Sequence, residues 1–253
     1  MVINIAKSSI KEALTFFKNA CFPIAFTGAG ISTPSGIPDF RSKGSGLWEK
    51  DDPMEVASHT AWENHPERFY DWLKPLILQS VKALPNPAHY ALANLETAGK
   101  LKAIITQNID GLHQRAGSKN VIELHGSCSV FHCPNCCDEF TLDEIIPVLK
   151  TEKIPECRRC GKPLKPNIIL YEESLPERAF SSAENICLKT DLVMVIGSSL
   201  EVMPAASLPL TAVKNGAKLI INNFSETPYD SYADVLIRDN VTEFLSQLSG
   251  AFA

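Results

Sequence analysis

The chain has 253 residues, with 24 Lys and Arg against 29 Asp and Glu, a formal charge of −5 and 45% hydrophobic residues. That is the composition of an ordinary globular protein with one large α/β domain, or one domain carrying a smaller insertion. The acidic excess argues against direct nucleic-acid binding and leaves a basic peptide open as a partner. Six of the eight cysteines fall between positions 128 and 160. A disulfide scaffold would be smaller and would spread them, so the clustering points to metal ligation in a reducing compartment.

The first residues are interrupted by Lys7, Lys11 and Glu12 and form no apolar export segment. The longest uncharged run, Asn19 to Pro38, carries Pro23, Pro34 and Pro38 with Gly28, Gly30 and Gly36, which excludes a membrane helix. A cytoplasmic protein without membrane contact is expected, with a monomer as the default.

In chain order, Ser9-Ile10-Lys11-Glu12 has capping-box spacing, and an amphipathic stretch follows to about Asn19. Phe22 to Thr27 then reads as a buried strand ending at Gly28. Similar apolar runs recur at Lys102–Thr106, Val121–Leu124, Asn167–Leu170, Leu192–Ile196, Lys218–Asn222 and Asp234–Ile237. Helical patterns lie between several of them, at Ala88–Ala98, Glu177–Lys189, Pro204–Lys214 and Val241–Leu248. The alternation predicts a Rossmann-like α/β fold, a doubly wound parallel sheet covered on both faces. Two stretches break it. Residues 46–75 read as a helical insertion and 127–165 as a zinc-binding module, together a smaller lobe. The remainder, 1–45, 76–126 and 166–253, is the expected dinucleotide-binding domain.

Gly28-Ala29-Gly30 follows the first strand and precedes a helix start, the arrangement that brings backbone N–H groups to a pyrophosphate. Gly28 would permit the tight turn and Gly30 the close approach of a ligand. A turn without a ligand is the other reading of so short a signal. A hydride-transferring dehydrogenase is disfavoured, because Thr33 stands where a third small residue belongs. Glu49, near the spacing of the ribose-binding acid, lies in no strand. The loop that follows carries Asp39, Phe40 and Arg41. Phe40 could pack on a planar ring and Arg41 could pair with phosphate oxygens.

The turn Gly28-Ala29-Gly30-Ile31-Ser32, followed by Ser35-Gly36-Ile37-Pro38-Asp39-Phe40-Arg41, resembles the sirtuin family of NAD-dependent protein deacylases. Thr106-Gln107-Asn108-Ile109-Asp110-Gly111-Leu112-His113, at a strand's carboxyl end, is similar to another motif of that family. Asn108 and Asp110 could offer an amide and a carboxylate to a ligand, or merely cap the next turn. The resemblance implies Gln107 at a ribose, and Ile109 and Asp110 with the Ala29–Asp39 loop at the nicotinamide carboxamide. It makes His125, in the following His-Gly pair, the general base, a role suited by the imidazole's unperturbed pKa of ~6.5. Asn108 would position water or the ribose. Gly197, Ser198 and Ser199 resemble the family's second Gly/Ser turn, on the phosphate and adenosine side. The resemblance implies Asn222 at the adenosine ribose, Asn223 follows it at the same strand end among the expected cofactor-binding residues, and Asp239 and Asn240 are expected to border the adenine.

Cys133-x-x-Cys136 and Cys157-x-x-Cys160 are separated by twenty residues, the spacing of a tetrahedral zinc site. Four thiolates leave no open position, so one structural zinc per chain is expected. Cys128 and Cys137 are spare, and His132 is an unneeded candidate ligand. Ile169, Leu170, Tyr171 and Glu172 resemble the family's substrate strand, to which the peptide adds as a further strand. Tyr171 stands for Phe there and Glu172 for Gly. Glu172 and Glu173 would favour basic residues around the modified lysine. Tyr70 matches the Tyr of the Tyr-x-x-Arg pair found in succinyl- and malonyl-preferring members, but Leu73 fills the Arg position. Deacetylation is therefore expected over desuccinylation, since an acidic acyl group needs a cation beside it. NAD is the expected co-substrate and an acetyl-lysine peptide or protein the expected partner. Protein ADP-ribosyl transfer and a non-catalytic NAD-sensing zinc module are the rival readings.

Overall fold

The computed structural model describes residues 3–42, 44 and 46–252. Nine strands occur among them: β1 Pro23–Thr27, β2 Ala103–Thr106, β3 Val121–Glu123, β4 Gly126–His132, β5 Glu139–Thr141, β6 Lys165–Ile168, β7 Leu192–Ile196, β8 Lys218–Asn222 and β9 Val235–Ile237. Six of these form one parallel sheet in the order β3-β2-β1-β7-β8-β9. Every residue of β1, β2 and β7 is buried, as parallel strands covered on both faces require.

Alternation along the strands divides their side chains between two cores. Ala25, Ile104, Met194 and Ile196 pack with Phe17, Leu92, Phe244 and Leu248 on one face. Phe26, Ile105, Val193 and Val195 pack with Ala183, Cys187, Leu208 and Ala212 on the other. Chain order reverses between β1 and β7, so the connections leaving these neighbours diverge and open a crevice at their carboxyl ends. Gly28 and Gly197 are the residues that follow those two strands.

A second sheet, β5-β4-β6, is antiparallel. Its apolar side chains join those of the helix Pro66–Lys82 in a third core, which includes Trp62, Phe69, Leu73, Phe131, Phe140, Ile145 and Leu149. The expected run at Asn167–Leu170 belongs here, through β6, and not to the parallel sheet. Its partner across the ladder is β4, where Gly126 faces Ile168. The N-terminal helix spans Ile3–Asn19, so it begins before the capping-box spacing at Ser9. The helix Pro66–Lys82 continues through Pro75. Amphipathic packing against the small lobe outweighs the loss of one backbone donor at that proline.

Glycine is required at two places that shape the crevice. Gly126 has φ +71°, and a Cβ on it would lie 2.1 Å from the Asn167 carbonyl oxygen. Gly28 and Gly30 owe their identity to the opposite turn. A Cβ on either would come within 2.8 Å of Gly197 backbone atoms, and the Gly30 N–H donates to the Gly197 carbonyl at 2.9 Å. The φ of Gly28 is an ordinary −127°, so the expectation of a special turn conformation there gives way to one of close backbone approach. No helix among the described residues is long and apolar enough to cross a membrane.

Candidate functional site

A cavity of about 450 Å³ runs along the crevice and under the small lobe. Its floor is the pair of glycine turns. One wall carries Gln107, Asn108, Ile109, Asp110 and His125 from the ends of the strands, and the loop Ile37–Ser42 covers it. At the small-lobe end lie Leu73, Leu76, Ile77, Cys128, Ile168 and Leu170. Most residues expected at the site thus meet in one place, including Ser198, Ser199, Asn223, Ile169, Tyr171 and Glu172.

His125 Nδ1 lies 2.9 Å from the Gln107 carbonyl oxygen. A carbonyl can only accept, so Nδ1 carries the proton and Nε2 keeps its lone pair. Burial lowers the pKa of His125, partly offset by that hydrogen bond. The imidazole is therefore neutral at neutral pH, the form in which it accepts a proton.

Asn108 spends its amide donors inside the protein, on the Gly28 carbonyl and on Ser32 Oγ, each at 3.2 Å. Its Oδ1 is left to the cleft. Ser32 Oγ donates to Asp110 Oδ2 at 2.6 Å, while Asp110 Oδ1 accepts from the Leu112 N–H at 2.9 Å. Asp110 thus does cap the next turn, and is also fastened to the glycine loop. Asp39 does not pair with Arg41's guanidinium. Its carboxylate accepts from the Arg41 and Ser42 N–H groups at 3.0 and 2.7 Å and from the Ser42 hydroxyl, closing the loop on itself. Arg41 is the one Lys or Arg on the cleft wall among the described residues, and its Nε sits 2.6 Å from Glu201 Oε2 across the mouth. Gln107 Nε2 donates to Ser198 Oγ at 2.8 Å, joining the two halves of the crevice.

Several expectations are corrected. Asn222 is fully buried and donates to the Ile237 and Asp239 carbonyls at 3.2 and 2.8 Å, so it ties β8 to the end of β9 and only Asn223 reaches the cleft. Asn240 is the N-cap of the helix Val241–Gly250, accepting from the Thr242 N–H, and does not line the cleft. Tyr70 is fully buried with its hydroxyl donating 2.7 Å to the Leu164 carbonyl; it belongs to the small-lobe core and does not line the cleft, whereas Leu73 does. Glu173 is committed internally, 3.0 Å from the buried Lys165 Nζ and 2.8 Å from the Leu170 N–H.

The sequence reading missed three features. Ser32 links Asn108 to Asp110, and its place in the glycine motif was the available signal. Trp48 stacks between Phe40 and Trp72, with ring centroids 5.0 and 5.6 Å apart, and meets Tyr171 edge-on at 6.2 Å. These rings come from distant segments, and no spacing announces them. The third feature is a buried histidine pair behind the site, with ring centroids 5.0 Å apart. His89 Nε2 lies 3.5 Å from Ser32 Oγ, and His113 Nε2 lies 2.9 Å from Thr27 Oγ1.

The sulfur atoms of Cys133, Cys136, Cys157 and Cys160 lie within 4.8 Å of one another, with Cys133–Cys160 and Cys136–Cys157 at 3.4 Å. Tetrahedral Zn–S bonds of ~2.3 Å put sulfurs about 3.8 Å apart, so the cluster fits a structural zinc. Two matching turns build it. The Cys137 N–H donates to the Cys133 carbonyl and the Gly161 N–H to the Cys157 carbonyl, each at 2.9 Å. Cys137 and Gly161 both take left-handed backbone, φ +61° and +70°. Cys137 is thus the turn residue after a ligand pair, and His132 stands outside the cluster.

A parallel α/β domain with a dinucleotide-type crevice, closed on one side by a tetrathiolate lobe, is the class that this fold and site define. The chain belongs to the Sir2 family, a model of which matches residues 28–204. It is 48% identical to an NAD-dependent protein deacetylase of Sulfurisphaera tokodaii, covering 88% of each chain, and 43% identical to one of Thermotoga maritima, covering 93% of this chain and 95% of that one. A solved Sir2 enzyme superimposes with a TM-score of 0.92 at 42% identity, over 97% of this chain and 98% of the other. A solved complex of Sir2 with a p53 peptide and NAD+ superimposes with a TM-score of 0.87 at 41% identity, over 96% and 99%.

Burial lowers His89 to about 4 and His113 to about 3. Unfolded, each takes up a proton near 6.5, so between pH 6.5 and 4 the unfolded chain binds more protons and stability falls as pH falls. The thermal midpoint should drop from pH 7 to pH 5, before most carboxylates titrate; a flat profile would contradict the neutral pair. In the zinc lobe, Cys137→Gly should keep one zinc per chain and an undiminished midpoint, because glycine takes the left-handed turn without strain. Cys160→Ala should lose the metal and lower the midpoint, as read by metal analysis and thermal unfolding.

Proposed function

We infer that this chain is an NAD-dependent protein lysine deacetylase of the sirtuin type, yielding nicotinamide, O-acetyl-ADP-ribose and free lysine. The observation that carries the reading is His125, neutral, with Nδ1 held by a backbone carbonyl and Nε2 free on a cleft floored by two glycine turns. NAD is consumed as a substrate: the acetyl oxygen of the bound lysine takes the ribose carbon from which nicotinamide departs, and water later releases the lysine. His125 Nε2 accepts the proton of a ribose hydroxyl and so makes it the nucleophile that takes over the acetyl carbon. Ile109 and Asp110 hold the nicotinamide carboxamide, and Ser32 fixes the carboxylate for that task. Asn108 Oδ1 orients water or the ribose. Phe40, backed by Trp48 and Trp72, keeps bulk water from the reacting carbon. Arg41 exchanges Glu201 for the pyrophosphate, assisted by the Gly197–Ser199 turn. Zinc, when bound to its four thiolates, holds the small lobe in shape and takes no part in the chemistry.

Acetyl is favoured over succinyl or malonyl as the acyl group. The acyl end of the cleft is apolar, with Leu73 in place of a cation. Lys74 points away, donating to the Thr151 and Glu152 carbonyls at 3.4 and 3.2 Å. Substrates basic around the lysine are also favoured, now on the whole cleft rather than on Glu172 and Glu173. With Glu173 paired to Lys165 and Glu201 to Arg41, its wall still carries Asp39, Asp110 and Glu226 with no opposing cation among the described residues.

Incubation with NAD and matched acetyl- and succinyl-lysine peptides tests the reading. Nicotinamide and free lysine should appear with the acetyl peptide, and much more slowly with the succinyl one. His125→Ala should reduce turnover by at least ~100-fold while NAD binding and fold persist. In the unsubstituted protein the acidic limb of kcat/KM should have its midpoint below 6.5, because the neutral base is lost only below the lowered pKa. Label passing from NAD to protein without release of lysine would favour ADP-ribosyl transfer instead. Near-normal turnover by His125→Ala would remove the proposed base.

A further inference from the structure

Glu172 occupies a conformation that its side chain disfavours. Its φ is +75°, the left-handed region that glycine enters freely and other residues at a cost of roughly 1–2 kcal/mol. Strain of this kind persists where the surroundings over-determine it. Here the anchor is visible. Glu172 Oε2 accepts from the Thr60 N–H at 2.8 Å, in the first turn of the helix His59–Asn64, whose N-cap Ser58 accepts from Ala61. The adjacent Tyr171 completes a two-point clasp: its N–H donates to the Ala57 carbonyl and its carbonyl accepts from the His59 N–H, each at 3.0 Å. The segment bearing Ile169–Glu172 is thereby fixed to the helical part of the small lobe.

The same contacts say which backbone remains for a substrate. The N–H groups of Ile169, Leu170 and Tyr171 are all satisfied within the chain, by the His125 carbonyl, Glu173 Oε2 and the Ala57 carbonyl. No hydrogen bond among the described residues uses the N–H or C=O of Glu172, which lines the cleft. An added peptide strand would pair there, and the left-handed φ of that residue sets the direction of both groups.

We propose that Glu172 is a positioning residue for the acyl-lysine peptide: its carboxylate, seated on the Thr60 N–H, holds the backbone that pairs with the peptide in register with the apolar acyl end. The inference deepens the deacetylase reading and rests on it. It replaces the expectation that Glu172 acts by attracting basic residues. Glycine at this position relieves the strained φ but removes the anchor, whereas glutamine retains an oxygen that can accept from Thr60.

The test compares the unsubstituted protein with Glu172→Gly and Glu172→Gln on two acetyl-lysine peptides, one flanked by Lys and Arg and one by Ala. Peptide KM, kcat, KM for NAD and the thermal midpoint are measured, with peptide Kd by fluorescence anisotropy alongside. Glu172→Gly should raise peptide KM and Kd by about fivefold or more, the size of one lost hydrogen bond. The rise should be equal for both peptides, with kcat, the KM for NAD and the midpoint little changed. Glu172→Gln should recover most of that loss. An unchanged peptide KM and Kd in Glu172→Gly overturns the proposal. So does a loss in Glu172→Gln confined to the basic peptide, which would make the residue a charge reader. Absence of deacetylation by the unsubstituted protein would instead overturn the function, and the anisotropy values would still decide the role of Glu172.

Discussion

The contact between two glycine turns is the constraint on which the rest of the structure depends. Gly28 and Gly30, after β1, press against Gly197, after β7, so closely that a single methyl on any of the three would collide with opposing backbone. The Gly30 N–H to Gly197 carbonyl bond seals that contact. Because β1 and β7 are neighbours at the point where strand order reverses, the contact forms the floor of the crevice. Everything on the walls is registered to it: Asn108 through the Gly28 carbonyl, Asp110 through Ser32, and Gln107 through Ser198.

From that floor a chain of polar contacts reaches His125 on the cleft wall. Gln107 bonds Ser198 with its side chain and His125 with its carbonyl. The second glycine turn's Ser198 and the His125 imidazole are therefore positioned by one residue. Behind Ser32 and Thr27, His89 and His113 fill a desolvated pocket in which only the neutral imidazole is tolerated. The small lobe is attached by different means. Its tetrathiolate turns organise the β5-β4-β6 sheet, and Glu172, Tyr171 and Trp48 carry that organisation to the cleft. The two sheets approach each other at His125 and Ile169, where the Ile169 N–H donates to the His125 carbonyl.

Much of this was legible in the order of residues. Strand-length apolar runs ending in Gly or polar clusters identified the parallel sheet, because buried parallel strands cannot alternate. Paired Cys-x-x-Cys spacings identified the metal lobe, because a tetrahedral site closed by two turns needs that local geometry. The polar strand ends at Gln107–Asp110 and at His125 fell where such folds bind ligands. What failed did so for identifiable reasons. Asn222 and Asn240 sit at strand ends like their neighbours, but backbone carbonyls in need of a donor and a helix in need of a cap claimed them. Tyr70 and Leu73 lie three apart on one helix, yet only Leu73 turns toward the cleft, since the Leu164 carbonyl captured the tyrosine hydroxyl.

The sequence by itself determined the fold class, the family, the tetrathiolate site and most of the residues that line the cleft. Each of these is set by local spacing or by side-chain chemistry that any fold of this pattern must satisfy. The tertiary structure alone decided which polar atoms stay free for a ligand. Asn108, Asp39, Glu172 and Glu173 all offer acceptor oxygens along the chain, but folding satisfies some of their atoms internally and leaves others facing the cleft. A buried polar group must find a partner wherever one lies in space, and those partners lie as far away in sequence as Gly28 is from Asn108.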